Sequence, residues 1–201
     1  MTKAEKTRKH ILEKSAALFN LGGFDGTSMK DIMEATQMSK GALYGHFQSK
    51  EEIALAAFKL AVGKVLDEVG KRTKVIDNTL DKLKAVVYFY KERILNPPVE
   101  GGCPIQNTAI DTNNNHEFLK EEVKKEMDAW IGRMIYTLEK GMSKGQIRID
   151  LNARDFSIRF IGCLEGGIMM AQLYKDVHYF DVVAQQLVEM IDSLAPTKSA
   201  F

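Results

Sequence analysis

Three serines, Ser28, Ser39 and Ser49, each stand just ahead of a run with helical spacing, and together they divide residues 28–50 into short segments. A serine hydroxyl at a helix start accepts a hydrogen bond from a backbone N–H that the first turn leaves unpaired, so such positions mark where helices begin. Ser28-Met29-Lys30-Asp31 has the form of a capping box, a hydroxyl followed three residues later by a carboxylate. It opens a helix of about two turns with Ile32 and Ala35 on one face. After Gln37-Met38, Ser39 opens a second short helix over 40–47, with Leu43 and Phe47 turned inward. Ser49-Lys50-Glu51-Glu52 reads as a third box and starts a long helix through Ile53, Ala57, Leu60 and Leu66 to about Lys71. A segment punctuated in this way folds as short helices meeting at angles.

The same periodicity holds on both sides. Ile11, Leu12, Ala16 and Phe19 recur at helical spacing over 6–21, and Gly22-Gly23 is expected to stop that helix. Further on, Leu80, Leu83, Val87 and Tyr90 mark a helix ending near Pro97-Pro98. Residues 99–115, with Gly101-Gly102 and three consecutive asparagines, read as a loop with one short helix around 105–110. Leu119, Val123, Met127, Trp130, Met134 and Leu138 form a stripe on a long helix. A helix over 153–174 is apolar nearly all round, so it is expected to be covered on more than one face. The last helix spans about 179–194. Only Ile147, Ile149 and Leu151 alternate as in a strand, too short a run to found a sheet. The expected fold is all-α, with one domain over residues 1–50 and a second over 51–201, joined by the long helix that starts at Glu51.

Composition narrows the function. The chain of 201 residues is 45% hydrophobic and 27% charged, an ordinary balance for a globular protein. The most apolar uncharged stretch, near 161–173, is interrupted by Glu165 and falls short of the roughly 20 residues that a membrane span needs. The polar first residues do not read as a secretory leader, and two cysteines, Cys103 and Cys163, suit a reducing compartment, so a cytoplasmic, nucleoid-associated protein is expected. Residues 1–50 hold eight Lys and Arg against five Asp and Glu, while the remainder holds 20 against 22. A basic first quarter is a hint of a polyanionic partner.

Two short helices and a tight turn over 27–50 are the ingredients of a helix-turn-helix, whose second helix enters the DNA major groove by its N-terminal residues. Ser39-Lys40-Gly41-Ala42 supplies that leading turn. Lys40 can donate to a guanine edge or to phosphate, Gly41 lets the backbone approach, and the Ala42 methyl suits a thymine methyl. Tyr44, His46 and Lys50 are candidate phosphate donors that fix register. Thr27 and the free amides behind Ser28 form a second candidate anion site, aided by the partial positive charge of a helix start. By themselves these residues also fit a helical small-molecule-binding protein or an enzyme in which the motif is incidental. No phosphate-binding loop or dinucleotide fingerprint favours an enzyme, and His10, His46, His116 and His178 show no metal-ligand spacing with the cysteines. No catalytic residue, metal or cofactor is expected.

Residues 8–55 closely resemble the DNA-binding domain of the TetR/AcrR transcriptional regulators. The match is carried by Ile11-Leu12, Ala16, Leu18-Phe19, Gly23-Phe24, Thr27-Ser28, Ile32, Ser39-Lys40-Gly41-Ala42-Leu43-Tyr44, His46-Phe47 and Ser49-Lys50-Glu51. Met33 and Gln37 depart from it, standing where that family usually has Ala and Gly. Gly102-Cys103-Pro104 with Asn107, and Leu164-Glu165-Gly166-Gly167, are similar to a subgroup that includes regulators of multidrug-efflux genes. The resemblance implies a repressor that binds a palindromic double-stranded operator as a homodimer and is released by a small-molecule inducer. It implies a ligand wall in the helical body, for which Tyr88, Phe89, Cys103, Trp130, Met134, Phe160, Met169 and Tyr174 are the candidates, suited to an apolar or aromatic ligand. Dimer contacts are expected on the helices over 153–174 and 179–194, with Gly162, Gly166, Gly167 and Ala171 permitting close approach.

Overall fold

The first helix starts earlier than the apolar spacing alone indicates, because Thr2 and Glu5 close a capping box of their own. In the computed structural model, which describes residues 1–112 and 115–196, the Thr2 hydroxyl accepts from the Glu5 amide and the Glu5 carboxylate accepts from the Thr2 amide. Helix α1 therefore spans Lys3–Gly26, with a break at Gly23, where φ is 69° and ψ 178°. The glycine pair interrupts the helix as expected, and one further turn follows. Only glycine fits at 23: the backbone is left-handed, and a Cβ there would collide with the Asp111 carboxylate.

Eight more helices follow among the described residues: α2 Met29–Thr36, α3 Lys40–Tyr44, α4 Lys50–Thr73, α5 Thr79–Arg93, α6 Pro104–Asp111, α7 Glu117–Ser143, α8 Ala153–Tyr174 and α9 His178–Asp192. The all-α expectation holds. Helix α3 is shorter than the expected 40–47, since its last turn tightens at Gly45 and passes through His46 N–H to Leu43 carbonyl. Residues 146–151 form no strand: Ile147 is buried, whereas Ile149 is exposed and the Arg148 amide donates to the Leu194 carbonyl. Of the three consecutive asparagines, Asn113 and Asn114 lie outside the described residues. No helix among the described residues is long and apolar enough to cross a membrane.

Packing divides the chain into two units, and the division does not fall at residue 50. The first joins Met1–Leu66 with Pro98–Lys124, and the second joins Asp67–Pro97 with the chain from Lys125 onward. In the first unit, Ile11, Ile32, Leu43, Phe47 and Ile53 form the core of the short-helix module, drawn from α1, α2, α3, the turn after it and α4. A second cluster brings Ala16, Ala57, Ala61 and Val99 together, and a third Phe24, Ala54 and Leu119. Helix α6 is tied to the end of α1 by amides. Asn107 donates to the carbonyls of Gly101 (2.7 Å) and Asn20 (3.1 Å), Asn20 donates to the carbonyls of Glu100 (2.7 Å) and Gly102 (3.2 Å), and Asp111 accepts from the Phe24 amide (2.7 Å).

The second unit has one continuous core, with Leu83, Val87, Met134, Leu138, Phe156, Phe160, Leu164, Phe180, Leu187 and Ile191 among its members. Burying such a side chain contributes about 1.5–3 kcal/mol each. Asn78 caps α5 and Asn152 caps α8, each accepting from the amide three residues on. Helices α8 and α9 pack tightly at Gly167, where a Cβ would lie 2.9 Å from Val183 Cγ1.

Candidate DNA-binding interface

The platform for the leading turn of α3 is built by burial. Leu43 and Phe47, 0% and 2% exposed, point into the module core and leave Lys40, Gly41, Ala42 and Tyr44 on the outside. The Ser39 hydroxyl accepts from the Ala42 amide (3.3 Å) and fixes the first turn. A Cβ at Gly41 would meet nothing within 4 Å, so the backbone there is open to close approach. The Lys40 ammonium lies 5.8 Å from the Tyr44 ring centroid, within range of a weak cation–π attraction. No acid stands in this turn.

Gln37 closes the turn between α2 and α3 in the left-handed region, at φ 57° and ψ 34°. The Met38 amide donates to the Met33 carbonyl (3.1 Å), the long-range bond of a Schellman-type end. Position 37 thus asks for a positive φ, and glutamine adopts it in spite of its Cβ.

Behind α3, Arg8 is a residue that spacing arguments did not single out. Its guanidinium stacks 3.9 Å over the Phe47 ring, donates to the His46 carbonyl (2.6 Å) and pairs with Glu52 (3.2 Å). The sequence signal was weak, one arginine among exposed lysines of the first helix. The Glu52 carboxyl is held below its ordinary range, first by the Gln48 amide and then by Arg8. That carboxylate is spent on Gln48 and Arg8, so the third expected capping box is only half formed. The Ser49 hydroxyl accepts from the Glu52 amide (3.2 Å) without the reciprocal bond.

Two expected phosphate contacts are corrected. Thr27 is 3% exposed, and its hydroxyl donates to the Leu18 carbonyl (3.2 Å), so it braces the end of α1 from within. The Lys50 ammonium donates to the carbonyls of Phe24 (2.8 Å) and Thr27 (3.0 Å) and sits 4.0 Å over the Phe24 ring. Those carbonyls, freed where the broken α1 ends, need a donor, and Lys50 supplies it. Ser28 is exposed, but its hydroxyl and amide are both engaged by Asp31, each at 2.7 Å. These bonds, the side-chain one foremost, hold the Asp31 carboxyl below its ordinary range. His46 is half-buried, with its carbonyl taken by Arg8. His116 pairs with Asp25 (2.9 Å), its ring 4.5 Å from that of Phe24.

The eight expected ligand-wall residues are not brought together. Phe89, Met134 and Phe160 are buried, and Trp130 is half-buried against the core of the second unit. Tyr88, Met169 and Tyr174 are exposed, Tyr174 stacking on Tyr179 at 4.3 Å. Cys103 belongs to the first unit, at the start of α6. The reason is helical geometry: Phe160 and Met169, nine residues apart on α8, fall about 180° apart around the helix. In the first unit, a cavity of about 20 Å³ lies among Ala16, Phe19, Phe24, Ala54, Phe58 and Leu119, room for about one water. Among the described residues, no group of three His, Cys, Asp or Glu could hold a metal ion.

Residues 11–57 match the family model described as bacterial regulatory proteins, tetR family, and residues 79–187 match that of the tetracyclin repressor-like C-terminal domain. The chain is 33% identical to a TetR transcriptional regulator of Chloroflexus aurantiacus J-10-fl, with a TM-score of 0.91 over 97% of this chain and 98% of that one. It is 24% identical to the transcriptional repressor DhaR of Mycobacterium sp. strain GP1, over 94% of this chain and 93% of the relative. It shares its fold, at 15% identity and a TM-score of 0.80, with the TetR family regulator CifR complexed with 26-bp operator DNA, over 90% of this chain and 94% of that one. With the exposed leading turn of α3 on its buried platform, these matches show that the chain belongs to the TetR/AcrR family of DNA-binding transcriptional regulators and is not an enzyme.

Proposed function

We propose that this regulator is a repressor that occupies a palindromic operator in the cytoplasm as a homodimer, and leaves it when a small apolar or aromatic molecule binds the helical body. The observation that carries the reading is the acid-free first turn of α3, exposed from Lys40 to Ala42 and fixed from beneath by Leu43 and Phe47. One such turn makes few base contacts, and a two-fold dimer doubles them on a symmetric site. Lys40, Gly41 and Ala42 read base edges, while Tyr44 and His46 set register on phosphates.

Support for the dimer comes from α8. Ile158, Gly162, Gly166, Met169 and Leu173 lie within about 80° of one another around the helix, at about 100° per residue. Ile158, Met169 and Leu173 are 49%, 48% and 72% exposed, and Val182 on α9 adds 59%. An exposed apolar stripe of this kind is covered by a second copy in a four-helix arrangement. Gly162 and Gly166 open outward on it, whereas Gly167 and Ala171 pack inside the protomer. For the inducer, the wall reduces to Trp130, Met134 and Phe160, which border one apolar core, so a molecule displacing contacts there must itself be apolar. Binding weakens the operator complex only through different affinities for the two states.

Sedimentation and footprinting test this together. The wild type should sediment as a dimer and protect two half-sites about one helical turn apart. The double variant Met169→Asp/Leu173→Asp should sediment as a folded monomer with unchanged helicity and bind far more weakly. A monomeric wild type on a single half-site removes the dimer; an apolar ligand that saturates the protein and leaves operator affinity untouched removes induction.

A further inference from the structure

We infer that the outward face of the first turns of α1, carrying Lys3, Lys6 and Lys14, is a second contact surface for the phosphate backbone of duplex DNA, beside the turn that reads the bases. This rests on the DNA reading of α3 and extends it to a helix outside the helix-turn-helix. The three lysines fall within about 80° of one another around α1, at about 100° per residue. All three are exposed, and among the described residues none makes an ion pair. The acids nearby are occupied. Glu5 lies on the far side of the helix, closed in its box with Thr2, and Glu13 forms ion pairs with Lys9 (3.9 Å) and Lys64 (3.7 Å).

This face is fixed relative to α3. His10 lies in the middle of it, its Nε2 3.3 Å from the Thr36 carbonyl at the end of α2. Arg8 binds the same turns of α1 to the His46 carbonyl and the Phe47 ring just beyond α3. The lysines are therefore held on the same rigid module as Lys40, and they are not a trailing arm. Lys3 and Lys6 precede residue 11, where the match to the family's DNA-binding domain begins. A fixed row of unpaired ammonium groups on the same module as a DNA-reading turn has the chemistry of a phosphate track. Neutralising phosphates releases counterions and steepens the dependence of affinity on salt by about 0.9 per contact.

The test uses the full chain and a random-sequence DNA duplex titrated between about 50 and 200 mM salt. The triple variant Lys3→Gln/Lys6→Gln/Lys14→Gln should bind with a salt slope shallower by about 2–3 per protomer, with unchanged preference for operator over random sequence. A control triple, Lys71→Gln/Lys74→Gln/Lys175→Gln, removes the same charge from exposed positions of the second unit and should keep the wild-type slope. Equal slopes for the wild type and the α1 triple, or an equal drop in both triples, overturn the inference while DNA binding through α3 stands. A wild type that ignores every duplex at low salt overturns both. Lys40→Ala separates the two surfaces, because it should relax base preference where the α1 triple does not.

Discussion

Helices α2 and α3 begin alike and end up with opposite chemistry. Each follows a serine whose hydroxyl accepts from the amide three residues on. In α2 that third residue is Asp31, whose carboxylate folds back on Ser28 and neutralises the partial positive charge of the helix start. In α3 it is Ala42, a methyl group exposed to solvent. One carboxylate makes the difference. The helix that supports the module satisfies its own first turn, and the helix that meets DNA leaves its first turn for a partner.

The sharpest way to break this contrast is to give α3 the residue that closes α2. Ala42→Asp should form a second Ser–Asp box and keep or raise thermal stability. It should lower operator affinity by at least about 100-fold, since a carboxylate placed about 4 Å from a phosphate costs up to about 4 kcal/mol at an effective dielectric near 20. Retained operator binding with intact helicity would show that this turn does not face the duplex. Next comes Lys50→Ala, which strips the donor from the Phe24 and Thr27 carbonyls at the C-terminal end of α1. It should cost about 1.5–3 kcal/mol in urea unfolding and leave the salt slope of DNA binding nearly unchanged. A normal stability with a shallower slope would return Lys50 to the phosphate contacts. The smallest effect belongs to Gln37→Gly, which relieves a left-handed non-glycine residue and should raise stability by about 0.5–1 kcal/mol. A loss of stability on that change would mean that the glutamine side chain itself holds the turn.

Much of the module was legible because its signals are local. Ser28 with Asp31, Ser39 with Ala42, and the inward Leu43 and Phe47 are set by spacing within one or two turns, and the structure follows them closely. Lys50 and Thr27 were misread for the opposite reason. A lysine near a helix start looks solvated in sequence, and only the arrival of the α1 carbonyls, more than 20 residues away in the chain, gives its ammonium an internal partner. The candidate ligand-wall residues divide between core and surface on a related point: an all-round apolar helix such as α8 does not announce which of its faces meets core and which meets solvent.

From the chain alone came most of the helices, the serine caps and the leading turn at residues 39–42, because hydrogen bonds and apolar periodicity act between residues three or four apart. The tertiary structure decided which charges remain available. It drew Lys50 and Thr27 inward, fastened Arg8 to Phe47, and joined α6 to the end of α1 through Asn20, Asn107 and Asp111. A polar group's role depends on the nearest unsatisfied partner in space, and proximity across 9 to 87 residues is fixed only when the cores close.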